Sequence, residues 1–412
     1  MQRANHYAPT RVTALCALAF AGAAHAQPTE GRAPDGTNGE YMVRLGNCSA
    51  CHTGPNGPFL GGHVVGGGGK KTAMPNLTPD PETGIGKGAL PGFVALMRTG
   101  QNGRHLFLDV EMPYPFYTKM TDADLADVYA HLRSLPPYRN AALAGLPRTT
   151  PAERASFGRV EGKFAIGAYQ PDPQRSPEWN RGAYLVESVG HCGDCHSPAT
   201  EIGLEDQTAR LQGAPFGALM APDLTSNAFT GLGAWTLEDI VAYLRTGANR
   251  FDLASDAMQT VVLNATQHLT DADALAIAIY LKDTPPSPHR PEPAALPADD
   301  ARMALGRAVF EDRCSACHGP EGAGVPGLFP KLAGAPLVNA PDPRSSISVV
   351  LAGSQAVATV AAPTGPAMPA LGWNLTDAQI AAAVTYIRNA WGNRSAPVAA
   401  ETVAAMRAEF GL

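Results

Sequence analysis

The chain is poor in the features that most function classes need. No segment beyond its leader reaches the roughly 18 uninterrupted apolar residues of a membrane-spanning helix. The longest candidates, residues 349–362 and 274–281, are short or broken by Ser, Gln and Thr, so membrane contact is expected to be peripheral. Charge is thin, at 17%, with no acidic or basic block, which argues against a nucleic-acid partner. Apart from the motifs described below, no acid, base or nucleophile is repeated or clustered, which argues against an enzyme active site. Residues 66–69 are a glycine run without the spacing, strand or helix of a phosphate cradle. Abundant instead are Gly (43) and Pro (37), a mix that reads as short elements joined by many turns, or as backbone wrapped around something other than protein. With 412 residues, 45% of them apolar, the chain can bury sizeable cores, and its length suggests two to four domains.

Residues 1–26 have the three parts of a secretory signal. Arg3 and Arg11 form a basic start, residues 12–24 an apolar stretch, and Ala24-His25-Ala26 a small-x-small cleavage site ahead of Gln27. The apolar run is too short to span a bilayer. Cys16 follows Leu15, where a lipoprotein signal would carry a small residue. The chain is therefore expected to be exported and cleaved.

The six cysteines beyond the leader form three pairs of one pattern: Cys48-Ser-Ala-Cys51-His52, Cys192-Gly-Asp-Cys195-His196 and Cys314-Ser-Ala-Cys317-His318. Other features repeat with them, which marks an array of similar units. A short helical stretch precedes each pair, at 40–46, 182–190 and 304–312. A second helix closes each unit behind Thr121-Asp-Ala-Asp124, Thr270-Asp-Ala-Asp273 or Thr376-Asp-Ala-Gln379. A Thr followed three residues later by Asp or Gln resembles a capping box. Leu132, Leu281 and Ile387 stand eleven residues past each Thr, preceded by His131, Tyr280 and Tyr386. The first two units also share Pro75-Asn-Leu-Thr78 with Pro222-Asp-Leu-Thr225, and FVALMRTGQNGR with IVAYLRTGANRF. Proline-rich joins at 171–179 and 285–297 separate the units.

Two cysteines three apart sit on neighbouring helical turns, so both thiols reach one edge of a flat ring. Thioether bonds to two haem vinyl groups then anchor the porphyrin, and the adjacent His ligates the iron. Structural zinc would need about four ligands close together, whereas these pairs stand far apart. A thioredoxin-like dithiol needs a βαβ pattern, and none is visible. A plain disulfide would not explain three histidines at one place. The opposite iron face needs a ligand of its own. Met112-Pro113 lies 60 residues after His52, Met258-Gln259 lies 62 after His196, and Met368-Pro369 lies 50 after His318. A thioether is a soft ligand that raises the potential of the iron. Met120, Met74 and Met220 are rivals: Met120 abuts the capping Thr121, and the other two come too soon after their His. His63, His105, His131 and His268 have no repeated equivalents and read as packing or surface residues.

These residues resemble the three-haem cytochrome c subunit of bacterial membrane-bound dehydrogenases, the family that serves alcohol, gluconate, sorbitol and fructose dehydrogenases. The likeness rests on the three CxxCH sites, MPYPFYTKMTDADL, the LTDAD segment of the second unit, and MPALGWNLTDAQIAAAVTYIRNAWGN. It implies an all-α chain of three tandem class I cytochrome c domains, over 27–145, 175–288 and 298–396, with a tail over 397–412. Three haem c groups would be held by Cys48 and Cys51, Cys192 and Cys195, Cys314 and Cys317. The axial pairs would be His52 with Met112, His196 with Met258, and His318 with Met368. Met258-Gln259 departs from the Met-Pro pattern. The likeness further implies a periplasmic electron-transfer subunit, not itself an enzyme, on the outer face of the cytoplasmic membrane. Its partners would be a catalytic large subunit holding pyrroloquinoline quinone, flavin or molybdopterin, and ubiquinone or a downstream cytochrome or oxidase. A stand-alone multihaem cytochrome and a peroxidase-type haem enzyme are the alternatives. In the tail, Val403, Met406 and Phe410 fall on one side of a helix that could meet a membrane, a partner or the third domain.

Overall fold

The computed structural model describes residues 38–65, 72–101, 108, 112–143, 151–217, 219–292 and 294–412. The expected leader over 1–26, His105 and the glycine run at 66–69 lie outside the described residues. Those described are rich in helix, with three two-stranded antiparallel ribbons as the only sheet.

Along the chain, α1 (Asn38–Leu45) leads into α2 (Cys48–His52), the ribbon β1 (Val64–Val65) with β2 (Thr72–Ala73), then α3 (Leu90–Thr99), α4 (Tyr114–Tyr117) and α5 (Asp122–Ser134). After α6 (Pro151–Val160) the order recurs as α7 (Pro177–Tyr184), α8 (Cys192–His196), the ribbon β3 (Ala214–Phe216) with β4 (Leu219–Ala221), α9 (Leu237–Thr246), α10 (Asp256–Asn264) and α11 (Asp271–Asp283). The last section holds α12 (Ala301–Arg313), α13 (Ser315–His318), α14 (Pro336–Asn339), α15 (Arg344–Ala352), the ribbon β5 (Ser354–Gln355) with β6 (Ala367–Met368), α16 (Asp377–Ile387) and α17 (Ala400–Glu409).

One helix crossing occurs three times, α1 on α5, α7 on α11 and α12 on α16. Each depends on a glycine. A Cβ on Gly39, Gly182 or Gly306 would stand 2.0, 2.0 or 2.1 Å from the carbonyl oxygen of Asp127, Ala276 or Ala382, far inside van der Waals contact. The nearest side-chain atoms are the Cβ of His131, Tyr280 and Tyr386, the positions that repeat before each closing Leu or Ile. Backbone thus meets backbone, and the apolar faces on either side close around the contact. Leu125, Leu185, Ala274, Ala278, Ile380 and Val384 are almost fully buried there.

The closing helices start as their Thr residues predict. The Thr121, Thr270 and Thr376 side chains accept from the backbone N–H of Asp124, Asp273 and Gln379. Only the third is a full capping box, in which Gln379 reaches back to the Thr376 N–H at 2.9 Å. In the first two the reciprocal half is supplied from the other unit. The Thr270 N–H donates to the Tyr41 phenol at 3.4 Å, and that phenol donates to Asp273 at 2.7 Å. The Thr121 N–H donates to the Tyr184 phenol at 3.3 Å, and Tyr184 donates to Asp124. Tyr41 and Tyr184 each stand two residues past their crossing glycine, so the exchange is two-fold symmetric. A single apolar core runs through both units, while the last section has cores of its own.

Tyr41 is seven residues before Cys48, yet Tyr184 is eight before Cys192. A π-helical turn over Leu185–Val189 takes up the extra residue. It places Glu187 to accept from Tyr280 at 2.6 Å and to pair with Lys119 at 3.1 Å and Arg210 at 3.2 Å, a further link across the units. At the C-terminus, α17 packs on α16 with Val403 and Met406 buried, and Arg407 pairs with Asp377 at 2.7 Å. Phe410 packs against the same core. The apolar side of the tail is therefore used inside the chain. No helix among the described residues is long and apolar enough to cross a membrane.

Candidate haem sites

The first two CxxCH motifs each occupy one short helix, α2 or α8, and the third occupies α13 with Cys314 as its N-cap. The six thiols are not bridged to one another. Burial pushes Cys48 and Cys192 up to about 12 and Cys314 to about 11, so these are protonated side chains in apolar surroundings rather than poised thiolates. Among the described residues no group of three or more His, Cys, Asp or Glu could hold a metal ion by itself.

The histidines share one geometry. His52, His196 and His318 place Nδ1 at 2.9, 2.8 and 2.9 Å from the carbonyl oxygens of Pro75, Pro222 and Pro330. A carbonyl only accepts, so Nδ1 carries the proton and Nε2 keeps its lone pair. Burial holds all three rings below the usual His range, outweighing the carbonyl, so they are neutral at pH 7. The Nε2 of His52 is buried without a hydrogen-bond partner. A neutral imidazole locked in one tautomer, its other nitrogen left without a hydrogen-bond partner as at His52, fits a haem iron ligand. The proline carbonyls were not foreseen as acceptors. Pro75 and Pro222 were visible in the matching PNLT and PDLT segments, but Pro330 has no sequence counterpart at that spacing.

The methionines separate by position. Met112 is half-buried against the core of the first two units, Met258 lies in the first turn of α10 beside Ala254, Val262 and Val357, and Met368 lies in β6 against the last core. Met120 is almost fully buried, and its equivalents before Thr270 and Thr376 are the buried Leu269 and Leu375. It packs into the core in front of the cap. Met74 adjoins Pro75 and Met220 stands two residues before Pro222, the prolines that hold His52 and His196, which puts their backbone on the histidine side of each site. His131 lies under the first crossing glycine, and His268 in a short turn before α11.

His191 was not singled out from the sequence. It precedes Cys192 in a left-handed conformation (φ 37°), as Asn47 (φ 49°) precedes Cys48. Its Nε2 lies 3.4 Å from the Gly46 carbonyl, and its ring meets Tyr117 edge-on at 5.6 Å. Tyr117 in turn donates to Gly46 at 2.9 Å. The first two CxxCH segments thus lie beside each other across a His and a Tyr.

Comparison with known proteins gives one family. The Cytochrome c family profile matches residues 303–391. The chain is 35% identical over 395 residues to the gluconate 2-dehydrogenase cytochrome c subunit of Pantoea cypripedii, covering 90% of this chain and 88% of the relative. It is 35% identical over 403 residues to the cytochrome c subunit of the quinone alcohol dehydrogenase of Gluconobacter oxydans (strain 621H), covering 92% and 83%. It is 31% identical over 446 residues to the fructose dehydrogenase cytochrome subunit of Gluconobacter japonicus, covering 98% and 90%.

Proposed function

The chain belongs to the family of cytochrome c subunits of dehydrogenase complexes, and from that premise we propose that it carries three haem c groups in three tandem class I cytochrome c domains. The domains span residues 27–145, 175–288 and 298–396. The observation that carries the reading is the threefold recurrence of a CxxCH helix whose His is locked by a proline carbonyl. Cys48 and Cys51, Cys192 and Cys195, and Cys314 and Cys317 hold the three groups covalently. His52 with Met112, His196 with Met258, and His318 with Met368 would ligate the three irons. The bound iron supplies one-electron chemistry between its ferric and ferrous states. The protein's part is to fix ligand identity and to keep water from the iron, since a soft thioether in apolar surroundings favours the reduced form.

The relatives' names support a dehydrogenase complex as the working context. Electrons come from a catalytic dehydrogenase subunit and leave to ubiquinone, another cytochrome or an oxidase, in the periplasm at the outer face of the membrane. With a His and a Met ligand for each iron, the chain would turn over no substrate alone. The test is spectroscopic. Sugars, alcohols, aldehydes or peroxide offered to the isolated oxidised chain leave its haem spectrum unchanged. Adding a partner dehydrogenase with its substrate reduces it within the mixing time of a manual assay, and a quinone reoxidises it. Turnover by the chain alone would move it to the haem-enzyme class.

A further inference from the structure

The second site departs from the first in a way the structure explains. In the first unit α3 ends at Gly100 (φ 75°), whose carbonyl accepts from the Leu108 N–H at 2.8 Å, and the chain returns through Met112-Pro113-Tyr114. The Tyr114 ring lies over Gly100, so close that a Cβ there would meet its Cε2 at 2.6 Å. The second unit repeats the frame. There α9 ends at Gly247 (φ 74°), whose carbonyl accepts from the Ala254 N–H at 2.7 Å, and the chain returns through Met258-Gln259-Thr260. It brings no aromatic ring to cover the glycine. The space is filled by Val357, which precedes α16 by twenty residues. A Cβ on Gly247 would meet Val357 Cγ1 at 2.0 Å.

Val357 does not touch this place by accident of packing. It is 3% exposed and shares a small apolar cluster with Ala254 and Val262, against which Met258 packs. The backbone is joined as well: the Val357 N–H donates to Ala254 at 2.8 Å, Ala356 bridges Ser255, and the Thr359 hydroxyl donates to Thr246 at 3.1 Å. On its other side the same strap pairs with the strand of Met368, through Ser354 opposite Met368.

We infer that the strap at residues 354–359, with Val357 at its centre, completes the methionine side of the second haem site, doing from the third domain what Tyr114 does for the first site from within. Val357 is a positioning residue for Met258, and the inference rests on the reading of Met258 as an iron ligand. Release of the strap frees the first turn of α10, which carries Met258, so the second iron would lose that ligand while its covalent haem stays.

The experiment counts carbon monoxide bound per reduced chain, on full-length holoprotein shown to keep all its haem. Two variants act from opposite sides: Val357→Asp puts a carboxylate into the cluster, and Gly247→Ala drives a methyl into Val357. The wild type binds none. Met258→Ala, Val357→Asp and Gly247→Ala each bind one, with loss of one share of the ferric methionine-to-iron charge-transfer band. The double variant Met258→Ala with Val357→Asp still binds one, because both changes open the same iron. If Met258→Ala opens an iron while Gly247→Ala and Val357→Asp leave all closed, the strap does not position Met258. Two molecules on the double variant would mean that the strap acts at another iron, and would also overturn the inference. If Met258→Ala itself stays closed, the ligand assignment falls first, and the strap's role with it.

Discussion

Gly182→Ala puts a methyl group where α7 meets α11, with the new Cβ 2.0 Å from the Ala276 carbonyl oxygen and 2.8 Å from Tyr280 Cβ. An ordinary carbon-to-carbonyl contact is about 3.3 Å, so the helices must part by roughly 1 Å. A gap of that size forfeits a quarter to a half of each dispersion contact along the seam. Ala183, Ala274, Ala278 and Leu281 line it and are buried, so little else can move to close it. Overpacking of this kind costs about 1–3 kcal/mol, against a gain of up to about 1 kcal/mol from the better helix propensity of Ala. The expected net is a loss of about 1–2 kcal/mol, a factor of roughly 5–30 in the folded-to-unfolded ratio. Gly158 in α6 supplies the contrast, because a Cβ there meets nothing within 4 Å. Gly158→Ala should be neutral or stabilising by up to about 1 kcal/mol. Urea unfolding of both holoproteins, followed by far-ultraviolet dichroism, gives the two midpoints. Midpoints for Gly182→Ala at or above the wild type would refute the close-crossing account.

Two further outcomes are expected. Met112→Ala should open one iron to carbon monoxide and lower its potential, whereas Met120→Ala should leave every iron closed and cost about 2–5 kcal/mol as a core truncation; the reverse pattern would exchange their roles. The Tyr41–Asp273 contact predicts a pH effect. Burial raises the Asp273 carboxyl, but the Arg181 guanidinium and the Tyr41 hydroxyl outweigh it and hold the group below its ordinary value. Its contribution is therefore full above the ordinary carboxylate pKa and is lost as pH falls through the folded-state value. Tyr41→Phe should weaken the pairing of the first two units by about 1.5–3 kcal/mol and move acid unfolding to higher pH. An unchanged acid limb would count against the exchanged caps.

Most of the local signals could be read directly. The three CxxCH helices and the three Thr starts depend on residues within one or two turns, and each stands where its spacing implies. What stayed hidden depends on residues distant in the chain. Nothing near Thr121 or Thr270 announces that a tyrosine of the other unit will cap them, because Tyr41 and Asp273 are 232 residues apart. The crossing glycines look like any others until the helices meet. The surroundings of Met258, where Met-Pro-Tyr gives way to Met-Gln-Thr, were hidden for the same reason: Val357, which shares its apolar cluster, comes from a later section. The tail had an apolar side that fitted a membrane, a partner or its own chain equally well, and only packing on α16 decides among them.

The central claim is three covalent haem groups on one chain, and the most direct measurement is haem per polypeptide after denaturation, from the alkaline pyridine spectrum against amino-acid analysis. The account predicts three haems that stay with the unfolded chain, and two when Cys51 and His52 are replaced together. A ratio of one or two in the wild type, or haem that separates from the unfolded chain, would contradict it.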